Sequence, residues 1–138
     1  MTPIQPADLL KLISYLENAG ENMPHSQAQI AAKANAALSS LVLLIASEAI
    51  ACMSAGNGMP WSESYALTAK VMAETAVLLS EKSMHPAQLK DMLCQPGSVA
   101  IDTLESLEQM RLRTAMINAC KEAYSQITQN HKYQEEHL

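Results

Sequence analysis

The chain has 138 residues, a net charge of −5 and four glycines, Gly20, Gly56, Gly58 and Gly97. That length fits one domain, and no three of those glycines form the turn or the Walker loop that cradles nucleotide phosphates. Nine dispersed Lys and Arg give no electrostatic footprint for nucleic acid.

The apolar half of the chain holds nine Met and one Trp, no Phe, and much Ala and Leu. These are strong helix formers, so an all-α domain is expected, and the small Ala side chains let helices approach closely. Residues 7–19 place Leu9, Leu10, Leu12, Ile13 and Leu16 on one broad face, with Gly20 at the C-cap position. After a polar break, Ser26 is the expected N-cap of an Ala- and Leu-rich stretch that reaches residue 55 as one helix or two. Residues 41–46 are apolar on all sides, which implies cover all round, most easily supplied by another chain. The charge-free run between Lys33 and Glu48 reads as too short to span a bilayer.

Four breaker-type residues in 54–60 end that element, and a helix is expected from Trp61 to about Lys82. Pro86 opens a shorter helix, residues 94–98 form a turn, and a final helical region starts at Ile101. The polar tail, residues 129–138, is expected to fray. Cys52, Cys94 and Cys120 are odd in number and widely spaced, which suggests neither disulfides nor a zinc site. The N-terminus lacks a cationic region followed by an apolar core, so a cytoplasmic protein is expected.

One stretch carries more than periodicity. Residues 84–97, Met-His-Pro-Ala-Gln-Leu-Lys-Asp-Met-Leu-Cys-Gln-Pro-Gly, resemble the H-P-x-x-L-K-D-x-V-x-S-P-G-G-T-T signature of pyrroline-5-carboxylate reductases. Leu104 to Glu108, Arg113 and residues 117–119 continue the match, and residues 58–60 and Glu48-Ala49 extend it upstream. The resemblance implies the C-terminal dimerisation domain of that family. Its fold is an all-α module whose long interleaved helices form a two-fold, domain-swapped dimer. It also implies three segments: residues 1–35, weakly like the end of a Rossmann domain; 36–128, the dimerisation domain; and 129–138, the tail.

Family members reduce pyrroline-5-carboxylate to proline with NADPH, bound by a Rossmann domain that this sequence lacks. The resemblance assigns substrate contact to the loop Gln95, Pro96, Gly97, Ser98, Val99 and Ala100. The chemistry of that loop is altered. The family's Ser before Pro is Gln95, its second Gly is Ser98, and its two Thr are Val99 and Ala100. The hydroxyl offered to the substrate ring nitrogen falls on Ala100, which can neither donate nor accept a hydrogen bond. The Gly-rich turn that opens the family's domain reads Ala-Ala-Leu-Ser-Ser-Leu-Val over residues 36–42, and its later Gly-Gly-Phe turn is Met110, Arg111 and Leu112.

Residues 96–98 still lead into a helix whose N–H groups could bind a carboxylate; the alternative is a plain turn between helices. His85 reads as a helix cap ahead of a base, Lys90 and Asp91 as surface charges, and Cys94 as an inert thiol. Glu48 and Glu74 sit in apolar surroundings without a spacing that pairs them. His131 and His137 are set aside as metal ligands for want of an acidic or Cys partner at helical spacing. No catalytic, cofactor-binding or metal-binding residue is assigned.

The expected function is a dimerisation module, inactive alone, that forms homodimers or higher oligomers without nucleic acid or membrane. One alternative is a fragment or split subunit completed by a separate Rossmann-containing reductase chain. Another is a partner that regulates the assembly of a full-length reductase.

Overall fold

The computed structural model describes residues 3–138, so the N-terminal boundary at residue 1 lies outside the described residues. They form six helices and no strand: α1 (Pro6–Glu17), α2 (Ser26–Gly56), α3 (Trp61–Glu81), α4 (Pro86–Leu93), α5 (Val99–Gln109) and α6 (Leu112–Glu136). The all-α expectation holds.

Helix α1 stops short of Gly20, because the Asn18 N–H closes onto the Ser14 carbonyl. Gly20 instead serves the connection to α2, at φ +79°, where a Cβ would lie 2.6 Å from that of Ala32. Only glycine gives both that backbone angle and that close approach. The long Ala- and Leu-rich stretch is one uninterrupted helix. Its ladder opens from the Gln29 N–H to the His25 carbonyl, so Ser26 is its first residue and not its cap.

Helix α2 corrects the bilayer reading. It continues past Glu48 to Gly56, and an 18-residue window within it reaches a mean hydropathy of 2.0. By length and composition alone it is long and apolar enough to cross a membrane. Judging by the charge-free run missed this, because a single carboxylate interrupts the run without ending the helix.

The region after Ile101 is two helices. A turn at Met110 and Arg111 separates α5 from α6, with the Arg111 N–H bonded to the Glu108 carbonyl at 3.0 Å. Arg111 sits at φ +56°, in the left-handed region that costs a side-chain-bearing residue roughly 1–2 kcal/mol. A turn therefore forms here without glycine. Replacing Arg111 with Gly is expected to stabilise the fold by about 1 kcal/mol, read as a rise in urea midpoint at unchanged m-value. The tail is helical to Glu136, where fraying was expected; Tyr133 stacks on His137 one turn later, with centroids 4.1 Å apart.

The chain divides into two compact units. One comprises residues 1–42 and 115–138, and within it Ile30 and Ala34 of α2 are buried. The other comprises residues 43–114, where Ala51 of α2, Ser64 and Thr68 of α3, and Leu89 of α4 are buried. Small residues carry this second interior. Ala51 is fully enclosed, and the Ser47 hydroxyl of α2 lies 3.0 Å from the Met72 sulfur of α3. The Thr68 hydroxyl donates to the Ser64 carbonyl at 2.8 Å. The described residues bury just four apolar side chains. Leu41, Leu43, Leu44 and Ile45 of α2 are all exposed, Ile45 to 67%.

Candidate functional site

Residues 94–98 join α4 to α5, both within the second unit, and Val99 and Ala100 are the first residues of α5. Leu89 is the single buried residue of α4 and fixes that helix, while its start is set by His85. The His85 Nδ1 accepts the Ala87 N–H at 3.1 Å, and the Gln88 side chain returns to the His85 N–H at 3.4 Å. His85 thus acts as a cap, satisfying backbone groups that a helix start leaves unpaired.

The loop is closed by its own polar groups. The Ser98 N–H donates to the Gln95 carbonyl at 3.0 Å, and the Gln95 side chain donates to the Met92 carbonyl at 3.0 Å. Ser98 caps α5: its hydroxyl accepts the Ile101 N–H and donates to the Leu93 carbonyl, each at 3.4 Å. Gly97 takes φ +79° in open space, so its requirement is conformational and not steric. Gln95, Pro96, Gly97 and Val99 are exposed, while Ser98 and Ala100 are partly covered. The Cys94 thiol lies 3.8 Å from the Ala100 carbonyl, a weak contact between the two ends of the loop.

An ion pair lies in the same compact unit. Arg113 of α6 meets Glu108 of α5 at 2.6 Å across the turn at residues 110–111. The hydrogen bond from Arg113 chiefly lowers the Glu108 pKa below its ordinary value, with the charges of Arg113 and Lys90 acting in the same sense. The Arg113 pKa is raised, first by that hydrogen bond and then by the Glu108 charge. Both positions stand out in the sequence as motif residues, but their pairing did not, because the break between α5 and α6 was hidden by the absence of glycine.

A pKa lowered on folding means that the pair's contribution is complete above the ordinary carboxylate value of 4.5 and is lost as pH falls through the lowered one. NMR titration of Glu108 should therefore give a midpoint below that of a free glutamate. Arg113→Ala should return it to the ordinary range, and an unmoved midpoint would show that another group holds the carboxylate. The pair is exposed, so its effect on stability should be small.

Glu48 and Glu74 are exposed. His131 does have an acidic partner at helical spacing, Glu135, 3.5 Å away, which corrects the reading that none exists. Among the described residues, no group of three or more His, Cys, Asp or Glu could hold a metal ion. A separate polar cleft of about 350 Å³ in the first unit is lined by Glu17, Glu21, Gln29 and Lys33, among others, and shares no residue with the loop.

The family model for pyrroline-5-carboxylate reductase dimerisation matches residues 25–130. Pyrroline-5-carboxylate reductase of Escherichia coli (strain K12) is 30% identical over 122 residues, covering 86% of this chain and 44% of the relative. Pyrroline-5-carboxylate reductase 3 of Bos taurus is 34% identical over 118 residues, covering 85% and 38% respectively. Pyrroline-5-carboxylate reductase of Treponema pallidum (strain Nichols) is 37% identical over 78 residues, covering 56% and 30%. The chain thus spans less than half the length of these relatives, and no solved structure gives a significant match. The match extends through α2 to α6, from the long apolar helix to the connections at residues 94–98 and 110–111. The chain belongs to the pyrroline-5-carboxylate reductase family and carries its dimerisation region.

Proposed function

We propose that this chain is a homodimerisation module in which long helices interleave across a two-fold axis in a domain-swapped manner. The observation that carries this reading is uncovered surface. On α2, Leu41, Leu43, Leu44, Ile45, Ile50 and Met53 are all exposed, more bare apolar side chain than a helix in water sustains. Obligate dimers bury upwards of about 2,000 Å² in total through apolar faces of this kind. The apolar surface of α2 is then covered by protein, not lipid. The free thiols Cys52, Cys94 and Cys120 accord with a cytoplasmic setting, and residues 36–128 form the dimerisation domain proper. Sedimentation equilibrium at micromolar concentration tests the proposal: a dimer is expected, and a folded monomer would overturn it.

In this reading the loop at residues 95–100 serves as a connection between helices. Its hydroxyl and amide groups are used internally, and Ala100 offers nothing to a ring nitrogen. The module alone neither binds NADPH nor reduces pyrroline-5-carboxylate.

A second reading is favoured by the share of the relatives that this chain spans, 44% of the reductase of Escherichia coli. It is a fragment or subunit that works with a separate Rossmann-containing reductase chain, either completing an active site or altering that enzyme's assembly. NADPH oxidation with pyrroline-5-carboxylate discriminates. Activity that appears on mixing the two chains supports completion. Co-sedimentation without added activity supports an assembly role, and separate sedimentation removes both.

A further inference from the structure

Helix α1 lies outside the matched family region, yet it is built to be covered. Leu9, Leu12, Ile13 and Leu16 follow helical spacing and form one apolar stripe along its length. Cover along that stripe is uneven. Ile13 and Leu16 are partly covered, whereas Leu9 and Leu12, nearer the start, remain 47% and 42% exposed. No residue of α1 is buried. A helix of 12 residues is marginal in water and depends on packing of its apolar face.

We propose that the bare end of this stripe packs on the second copy of the chain, so that α1 acts as a strap across the dimer. The inference rests on the homodimer reading. Two observations favour a second copy as the occupant. The stripe belongs to the same compact unit as the first half of α2, which lies in the dimerisation region, so the strap continues the surface that pairing covers. Leu41 of α2, in the same unit, is likewise 57% exposed, so that unit carries uncovered apolar surface on both α1 and the dimerisation region. The helix also carries two acidic residues, Asp8 and Glu17, against one basic residue, Lys11, a balance that does not suit an anionic lipid surface.

The test places the photo-crosslinker p-benzoylphenylalanine at Leu9 in the full chain, beside a Leu9→Ser/Leu12→Ser variant checked for unchanged helicity. A covalent dimer on irradiation and a dimer dissociation constant raised tenfold or more are expected. Crosslinks confined to single chains within a wild-type dimer would overturn the strap and leave the homodimer reading standing, as would an unchanged dissociation constant. A wild-type chain that sediments as a monomer would overturn the homodimer reading, and the strap with it. If the double serine variant loses helicity, the crosslink alone decides.

Discussion

Leu44→Glu/Ile45→Glu should abolish dimers at micromolar concentration, raising the dissociation constant at least a hundredfold. In an isolated chain the same substitutions would be nearly silent, because Leu44 is 57% exposed and Ile45 67%, and surface changes rarely exceed about 0.5 kcal/mol. In a dimer each site loses about 1.5–3 kcal/mol of apolar burial and forces a carboxylate out of water. The two expectations differ by several kcal/mol in sign-defined directions. Sedimentation gives the association constant, and far-ultraviolet circular dichroism shows whether the separated chains keep their helices. Unchanged association would mean that this part of α2 faces water in the native protein.

Leu89→Ala should lower stability by about 2–5 kcal/mol, the range for truncating a buried leucine. Leu89 is 7% exposed and is the one buried residue in the eight of α4. No other side chain of that helix can compensate, and its capping by His85 holds the end without anchoring the face. The loss should appear as a fall in urea midpoint, accompanied by faster amide exchange from Pro86 through the residue 94–98 connection. A change below about 0.5 kcal/mol would mean that α4 is held from outside the chain.

How far the sequence disclosed this molecule depends on the physical signal involved. Composition gave the all-α class because Ala, Leu and Met act at every position, and the proline and glycine clusters marked the true connections at residues 57–60 and 94–98. The turn at Arg111 was legible only as the counterpart of a family turn, because its left-handed backbone has no glycine to announce it. The extent of α6 escaped for a related reason: polar composition forecasts solvation, and a solvated helix is still a helix. At the loop, the residue types were readable, including the loss of a hydroxyl at Ala100. The double role of Ser98 was not, since it depends on bringing Leu93 and Ile101 to either side of one oxygen. The apolar girth of α2 was visible from the start as a demand for cover.

That demand has a kinetic side. The described residues bury only four apolar side chains, so under the proposed dimer reading the new chain has little interior of its own, and its lifetime before pairing would be a race against proteases and aggregation. In such a dimer, stability would rise with the concentration of the chain itself. Where interleaved helices must separate before partners change, exchange between finished pairs is as slow as unfolding. Abundance, and the moment at which two nascent copies meet, would set the amount of active module more firmly than any ligand.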